Sequence, residues 1–240
     1  CISYFQVDNP MVYCMDPTFI GLHKASESEM SSKAVKKLSP KERVGTFVQI
    51  GETLQVMEYS DIPPQISSEK LKNGSLRFGL GSIAIHLLER NFVNRVAGSK
   101  KIKRQGLKYH GAHKKVCCLD NKGSRVDPQK PNAIKAETFV FDALPLAHNP
   151  LLMEINRKEE FGPIKNPTGS DSRASSEKLQ ISRNQRWLKV LGEVGKLNKV
   201  EISPLFAPTL PFFLEQTSKF PIDPKKLSKD SALIELQNTK

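Results

Sequence analysis

The longest apolar stretch of this chain runs only from Gly79 to Leu88 and carries His86 inside it. A bilayer-spanning helix takes about 20 apolar residues, so this stretch belongs in the interior of a globular domain rather than in a membrane. Around it, strand-like and helical segments alternate, each short and each bounded by Gly, Pro, Asn or Asp. That alternation predicts an α/β domain with a mixed sheet, followed by a small C-terminal α+β piece. A length of 240 residues suffices to bury a core of that size.

The segments can be placed one by one. Ile2 to Asn9 reads as a buried strand that delivers Asp8 to its end; such strands normally sit inside a sheet, so the chain reads as part of something longer. Asp16-Pro17-Thr18 predicts a short helix with Asp16 as N-cap and Pro17 at the first position. Val44 to Ile50 and Leu54 to Tyr59 flank Gly51-Glu52 as a hairpin. Ser60 to Ser75 is polar and turn-rich, a surface excursion. Asp120-Asn121-Lys122-Gly123 predicts a second hairpin turn. Ala136 to Ala147 reads as a helix closed near Pro145, and Leu151 to Ile155 as a strand. Pro163 to Ser176 is rich in Pro, Gly and Ser and predicts a linker, so the expected division is residues 1–166, a linker at 167–176, and a C-terminal piece at 177–240. Within that piece, Glu177 to Leu191 predicts a helix with Gly192 beyond its end, and Val200 to Ile202 a strand.

Composition narrows the partners. Hydrophobic and charged fractions of 38% and 26% are those of an ordinary soluble domain, but the net charge of +12 favours anionic ligands. The basic run from Lys100 to Lys108 has only Tyr109 nearby to stack on a base, so a solvated loop is preferred and nucleic acid is not expected as a partner. The four cysteines, Cys1, Cys14, Cys117 and Cys118, lack the spacing of a zinc site or a disulfide framework. Cys1 to Phe5 lacks a basic region and a cleavage site, which predicts no signal peptide. A reducing cytoplasm is the expected location.

Lys135 and Lys165 are the candidate ligand residues. Each lies at the edge of an apolar stretch beside a turn-forming Pro or Asn, where an ammonium can be held over one spot, and a compact point charge suits a phosphate. An ordinary surface lysine is the competing reading for both. Asp8, at the end of its expected strand, is a candidate Mg²⁺ ligand, because Mg²⁺ accepts one or two protein carboxylates together with phosphate oxygens. A turn-capping aspartate is the alternative.

Taken in order from Tyr4 to about Leu205, these segments resemble one family. Tyr4-Phe5-Gln6-Val7-Asp8-Asn9-Pro10, Asp16-Pro17-Thr18-Phe19-Ile20-Gly21, Glu58-Tyr59-Ser60-Asp61, Phe78 to His86, Lys130-Pro131-Asn132-Ala133-Ile134-Lys135, Glu137-Thr138-Phe139-Val140-Phe141-Asp142, Phe161-Gly162-Pro163-Ile164-Lys165-Asn166 and Glu201-Ile202-Ser203-Pro204-Leu205 look like the UDP-N-acetylhexosamine pyrophosphorylases. These belong to the UTP-dependent sugar-1-phosphate uridylyltransferases. The resemblance implies a glycosyltransferase-A-like nucleotidyltransferase fold. It also implies a Mg²⁺-dependent reaction of UTP with N-acetylglucosamine 1-phosphate (or its galacto epimer), a glucose-1-phosphate uridylyltransferase being the alternative.

Carried over residue by residue, Asp8 matches the aspartate at the nucleotide phosphates and metal. Gly45 and Glu58 match positions that contact the sugar, with Tyr59 the neighbour of Glu58 in that motif. Lys135 matches a lysine at the nucleotide phosphates, and Lys165 one at the sugar phosphate. Ser82 stands where the eukaryotic enzymes have an asparagine contacting the N-acetylhexosamine, and Gly79 also replaces an asparagine. The family's Gly-rich, Arg-containing loop for UTP lies upstream of the matched region, and Gly79-Leu80-Gly81 belongs to the sugar-side motif. The sheet is therefore expected to be incomplete at its N-terminal side, with a truncated, phosphate- or nucleic-acid-binding remnant as the rival to an enzyme.

Overall fold

The computed structural model describes residues 1–99, 107–193, 199–227 and 231–235. Its residues gather into two compact units, Cys1–Ser3 with Phe19–Met153, and Tyr4–Thr18 with Glu154–Lys240. The units part between Met153 and Glu154, earlier than the expected linker at 167–176. That stretch lies inside the second unit, where Ser172 caps a long helix. Of the basic run at Lys100 to Lys108, the residues numbered 100 to 106 fall outside the described residues, as does much of the lysine-rich tail.

The strands of the first unit are β1 (Ile2–Tyr4), β2 (Met30–Lys36), β3 (Thr46–Ile50), β4 (Thr53–Met57), β5 (Leu80–Leu88), β6 (His110–Lys114), β7 (Cys118–Leu119), β8 (Arg125–Val126), β9 (Ala133–Glu137) and β10 (Leu151–Glu154). Six of them form one sheet in the order β10-β2-β5-β3-β4, with β1 also on β5. The pairs β6–β9 and β7–β8 are separate antiparallel ribbons. Local signals set several of these elements. The β3–β4 hairpin closes on Gly51 at φ +59°, a conformation that favours glycine. The β7–β8 turn is tied by the Asp120 carboxylate, which accepts from the Lys122 and Ser124 N–H groups at 2.8 and 2.9 Å. The helix α1 (Pro17–Ala25) starts as expected, its Thr18 N–H donating to the Asp16 carboxylate at 2.9 Å.

Two expected elements are different. The opening strand ends at Tyr4; Val7 is 97% exposed, and the Asn9 N–H donates to the Gln6 carbonyl at 3.3 Å. Asp8 thus lies within a turn instead of ending a buried strand. Asn9 enforces this, because its buried side chain donates to the Glu160 carbonyl at 2.8 Å and accepts from the Gly162 N–H at 3.1 Å. Nor is Ala136 to Ala147 one helix. Its start belongs to β9, paired residue for residue with β6, and only Val140–Leu146 coils, as a 3₁₀ turn with Pro145 inside. Phe139 and Phe141 stack with centroids 4.8 Å apart. An α-helix would point residues two apart to different sides.

The core of the first unit is unusually polar. Ser31, Ser32 and Lys33 of β2 are fully buried. Ser31 pairs with the buried His23 at 2.7 Å, Ser32 with His86 Nδ1 at 2.8 Å, and the Lys33 ammonium lies 5.4 Å from the Phe19 ring centroid. Opposite Lys33, β5 bulges: the register shifts between Ser32 and Ala34, and Ala84 adopts φ +53°.

Burial holds the His86 imidazole neutral, with its pKa pushed down to about 4. Unfolding restores an ordinary histidine near 6.5, so the unfolded chain binds the extra proton as pH falls between those values. This stabilisation is complete above about pH 6.5 and is lost as pH drops toward 4, by about 3 kcal/mol in all. Urea unfolding at pH 7 and pH 4.5 should therefore show a pH-dependent loss that is smaller in His86→Gln than in the native sequence. Equal losses would mean that His86 titrates normally in the folded state.

The second unit packs α2 (Arg157–Glu160), α3 (Arg173–Val190), α4 (Leu210–Lys219) and the parallel pair β11 (Lys199–Ile202) and β12 (Ser231–Ile234). The expected helix is present and longer, with Ser172 and Ser175 forming a reciprocal cap and Gly192 following its end. Trp187, Leu188, Val200, Ile202, Phe206 and Phe213 form its apolar centre. The Trp187 indole N–H donates to Glu159 at 2.8 Å, so its polar edge is satisfied without leaving the core.

Candidate active site

Glu58 ends the β4 side of the hairpin, and the turn after it is held by the Asp61 N–H donating to the Glu58 carbonyl at 2.9 Å. Across the sheet, β3 meets β5 where Thr46 opposes Gly81, and the Ser82 N–H donates to the Gly45 carbonyl at 2.7 Å. These pairings bring Gly45, Glu58 and Ser82 to one place. A Cβ on Gly45 would lie 2.6 Å from Val56 Cγ1, 3.6 Å from a Glu58 carboxylate oxygen and 3.8 Å from Ser82 Cβ. Val56 is buried and β-branched and occupies this space, so glycine at position 45 is what lets it pack against the backbone. Tyr59 follows Glu58 and is about half exposed.

The charge around Glu58 is concentrated. Burial pushes the Glu58 carboxyl above its ordinary value, and Asp61 and Asp142 add to the shift, while His110 and the Tyr59 backbone oppose it. His110 lies between two of these carboxylates, with Nδ1 3.4 Å from Asp61 and Nε2 2.9 Å from Asp142. Its ring packs 5.0 Å from the Phe139 centroid.

Lys135 lies on β9 opposite Ala112. Its side chain is 62% exposed and its ammonium is 2.7 Å from Glu137, two residues along and on the same face of the strand. The structure therefore places it on a paired ribbon beside a carboxylate partner.

In the second unit, Asp8 and Lys165 come close through the backbone. The Asp8 carbonyl accepts from the Ile164 N–H at 2.8 Å, and Lys165 and Asn166 both donate to the Asp171 carbonyl, at 2.6 and 2.9 Å. Together with the Asn9 bonds to Glu160 and Gly162, these contacts fix the two loops to each other and present Lys165 on the surface.

Sequence reasoning missed two polar residues here. Lys37 is buried, donates to Thr46 Oγ1 at 3.0 Å, and has its pKa lowered by burial. It directly follows β2, after Lys36, and no local pattern marks it out. His110 was obscured by the basic run before it. Among the described residues, the one cluster of potential metal ligands is Cys1, His23 and Glu89, but Glu89 is already tied to His23 and Lys24. No described helix is long and apolar enough to cross a membrane.

The sequence profile of the family described as UTP-glucose-1-phosphate uridylyltransferase matches residues 2–239. A UDP-N-acetylhexosamine pyrophosphorylase-like protein 1 from Xenopus tropicalis is 36% identical over 193 residues, which cover 80% of this chain and 37% of that protein. A UDP-N-acetylglucosamine pyrophosphorylase from Saccharomyces cerevisiae is 33% identical over 201 residues, covering 81% of this chain and 41% of that protein. The chain thus spans well under half the length of these relatives. A crystal structure of the Trypanosoma brucei uridine diphosphate N-acetylglucosamine pyrophosphorylase has the same fold, with a TM-score of 0.74 at 24% identity, over 99% of this chain and 49% of that one.

Proposed function

The chain belongs to the UTP-glucose-1-phosphate uridylyltransferase family, and we propose that it is the sugar-phosphate side of an enzyme that joins UTP to N-acetylglucosamine 1-phosphate. The observation that carries this reading is the convergence of Gly45, Glu58 and Ser82, with a Glu58 carboxylate oxygen 3.6 Å and Ser82 Cβ 3.8 Å from the Gly45 Cβ position. A sugar ring offers hydroxyls to such a surface, and the Glu58 carboxylate accepts from them. Tyr59 flanks the same edge.

In this reaction a sugar-phosphate oxygen forms a bond to the α-phosphorus of UTP. The bond from that phosphorus to the bridging oxygen breaks, and pyrophosphate leaves. Two polyanions must meet, so positioning and charge neutralisation carry most of the rate. Lys165 holds the sugar phosphate, and Lys135 turns from Glu137 to the nucleotide phosphates. Asp8 offers one hard carboxylate oxygen, a donor that suits Mg²⁺ shared with substrate phosphates. Bound there, Mg²⁺ would neutralise charge developing on the phosphate oxygens. The four cysteines are free thiols, which suits a cytoplasmic setting.

Initial rates of the full-length protein with UTP and either N-acetylglucosamine 1-phosphate or glucose 1-phosphate test the proposal. Uridylyl transfer to the N-acetylated sugar is expected, and transfer to neither would overturn it. Ser82 decides selectivity. Its hydroxyl is shorter than an amide and lacks the paired donor and acceptor, so Ser82→Asn should raise the ratio of kcat/KM for the N-acetylated over the plain sugar about tenfold, the worth of about one hydrogen bond. An unchanged ratio would remove Ser82 from the sugar site.

A further inference from the structure

Where β3 meets β5, only one face of the sheet carries the proposed sugar residues. Side chains alternate along a strand, so Gly45, Glu58 and Ser82 share one face, while Thr46 and its partner Gly81 belong to the other. That reverse face holds Lys37, one residue past β2, whose backbone N–H extends the ladder by donating to the Gly79 carbonyl at 2.8 Å. Its side chain runs across Gly81, with Cγ 3.3 Å from the position that a Gly81 Cβ would take. It ends on β3, where the ammonium donates to Thr46 Oγ1 at 3.0 Å. Both residues are buried, Thr46 completely. One side chain thus ties β2, β5 and β3 together behind the joint where the Ser82 N–H donates to the Gly45 carbonyl at 2.7 Å.

That joint is narrow. Among the described residues, β3 and β5 are in register only at Thr46 and Gly81, whereas β3 and β4 pair over five residues. A junction of one pair holds its offset weakly unless a side chain locks it. Lys37 also closes the connection from β2 to β3, since it stands at the start of that loop and its partner Thr46 opens β3, just past Gly45.

We propose that Lys37 is a positioning residue for the sugar site: by holding Thr46 from the reverse face, it fixes the offset of Gly45 from Ser82 and so their place beside Glu58. This rests on the reading of Glu58 and Ser82 as sugar ligands. Lys37 touches no substrate and acts through the Thr46 hydroxyl. A displacement of about 1 Å in such a site is enough to weaken binding.

The test uses the full-length protein, with each substrate varied while the other saturates. Thr46→Val keeps the side-chain shape but removes the acceptor, and Lys37→Met keeps an apolar stem without the donor. Each should raise KM for N-acetylglucosamine 1-phosphate about fivefold, the scale of one hydrogen bond, with KM for UTP unchanged. Thr46→Ser retains the hydroxyl and should stay near native. The double variant Lys37→Met/Thr46→Val should be no worse than either single one, because both break the same contact. An unchanged KM, equal changes in the two Michaelis constants, additive losses in the double variant, or Thr46→Ser as impaired as Thr46→Val would overturn the inference. Should Thr46→Val fail to fold with its stranded ammonium, the double variant removes both partners and reads the same KM. Glu58→Gln separates the two levels. If it leaves KM for the sugar phosphate unchanged, the sugar-site reading itself fails. If it raises that KM while the Lys37 and Thr46 variants do not, only the role of Lys37 fails.

Discussion

Lys165→Ala in the full-length protein is expected to raise KM for sugar 1-phosphate about 10- to 100-fold while changing KM for UTP far less. The range follows from the loss of a charge-assisted hydrogen bond, about 1.5–3 kcal/mol. The loop around Lys165 is shaped by backbone contacts, namely Ile164 to Asp8 and Lys165 to Asp171, so alanine should leave its path unchanged. The side chain is exposed, and thermal stability should accordingly stay near native. Steady-state kinetics with each substrate varied in turn decide the matter. Equal effects on the two Michaelis constants would argue that Lys165 acts on the nucleotide, or on neither substrate.

Phe213→Ala should destabilise the second unit by about 3–5 kcal/mol, the usual range for emptying a buried aromatic site. Phe213 is fully buried against Trp187 and Phe206, with ring centroids 5.9 and 6.2 Å away. Neither neighbour can collapse into the space easily. Trp187 is anchored through its indole N–H to Glu159 and covered by the Arg183 guanidinium at 5.0 Å. Burial lowers the Arg183 pKa, with the Glu159 carboxylate acting against that shift. Thermal unfolding followed by circular dichroism should show the loss in the full-length protein. A change below about 1 kcal/mol would mean that the site repacks, contrary to the density expected of such a core.

The candidate site was legible in unequal parts. Glu58, Tyr59 and Gly45 were singled out by their resemblance to a sugar-binding motif, and pairing of β3, β4 and β5 brings Gly45, Glu58 and Ser82 together. Lys135 and Lys165 were singled out by the same local cue, a lysine beside Pro or Asn at the end of an apolar stretch. Their surroundings differ all the same. Lys135 faces Glu137 on a strand, whereas Lys165 stands on a loop fixed by Asp171. That distinction comes from strand pairing, and no spacing in the sequence encodes it. His110 went unnoticed for the same reason, since Asp61 and Asp142, which define it, lie 49 and 32 residues away in the chain.

What the sequence alone determined were the features made by neighbouring residues: the Asp16 cap of α1, the turns at Gly51 and Asp120 to Gly123, and the helix ending before Gly192. Each depends on one backbone angle or one short-range hydrogen bond, so a few residues suffice to specify it. Tertiary structure decided the rest. Met30–Lys36 is a central strand although it contains Ser31, Ser32 and Lys33, because His23, His86 and Phe19 stand ready to satisfy those groups. Ala133–Glu137 is a strand because β6 offers it five paired residues, and Asp8 sits within a turn because Asn9 bonds to residues more than 150 positions away. In each case the local preference was weak, and a distant partner supplied the hydrogen bonds that burial of a polar backbone or side chain requires.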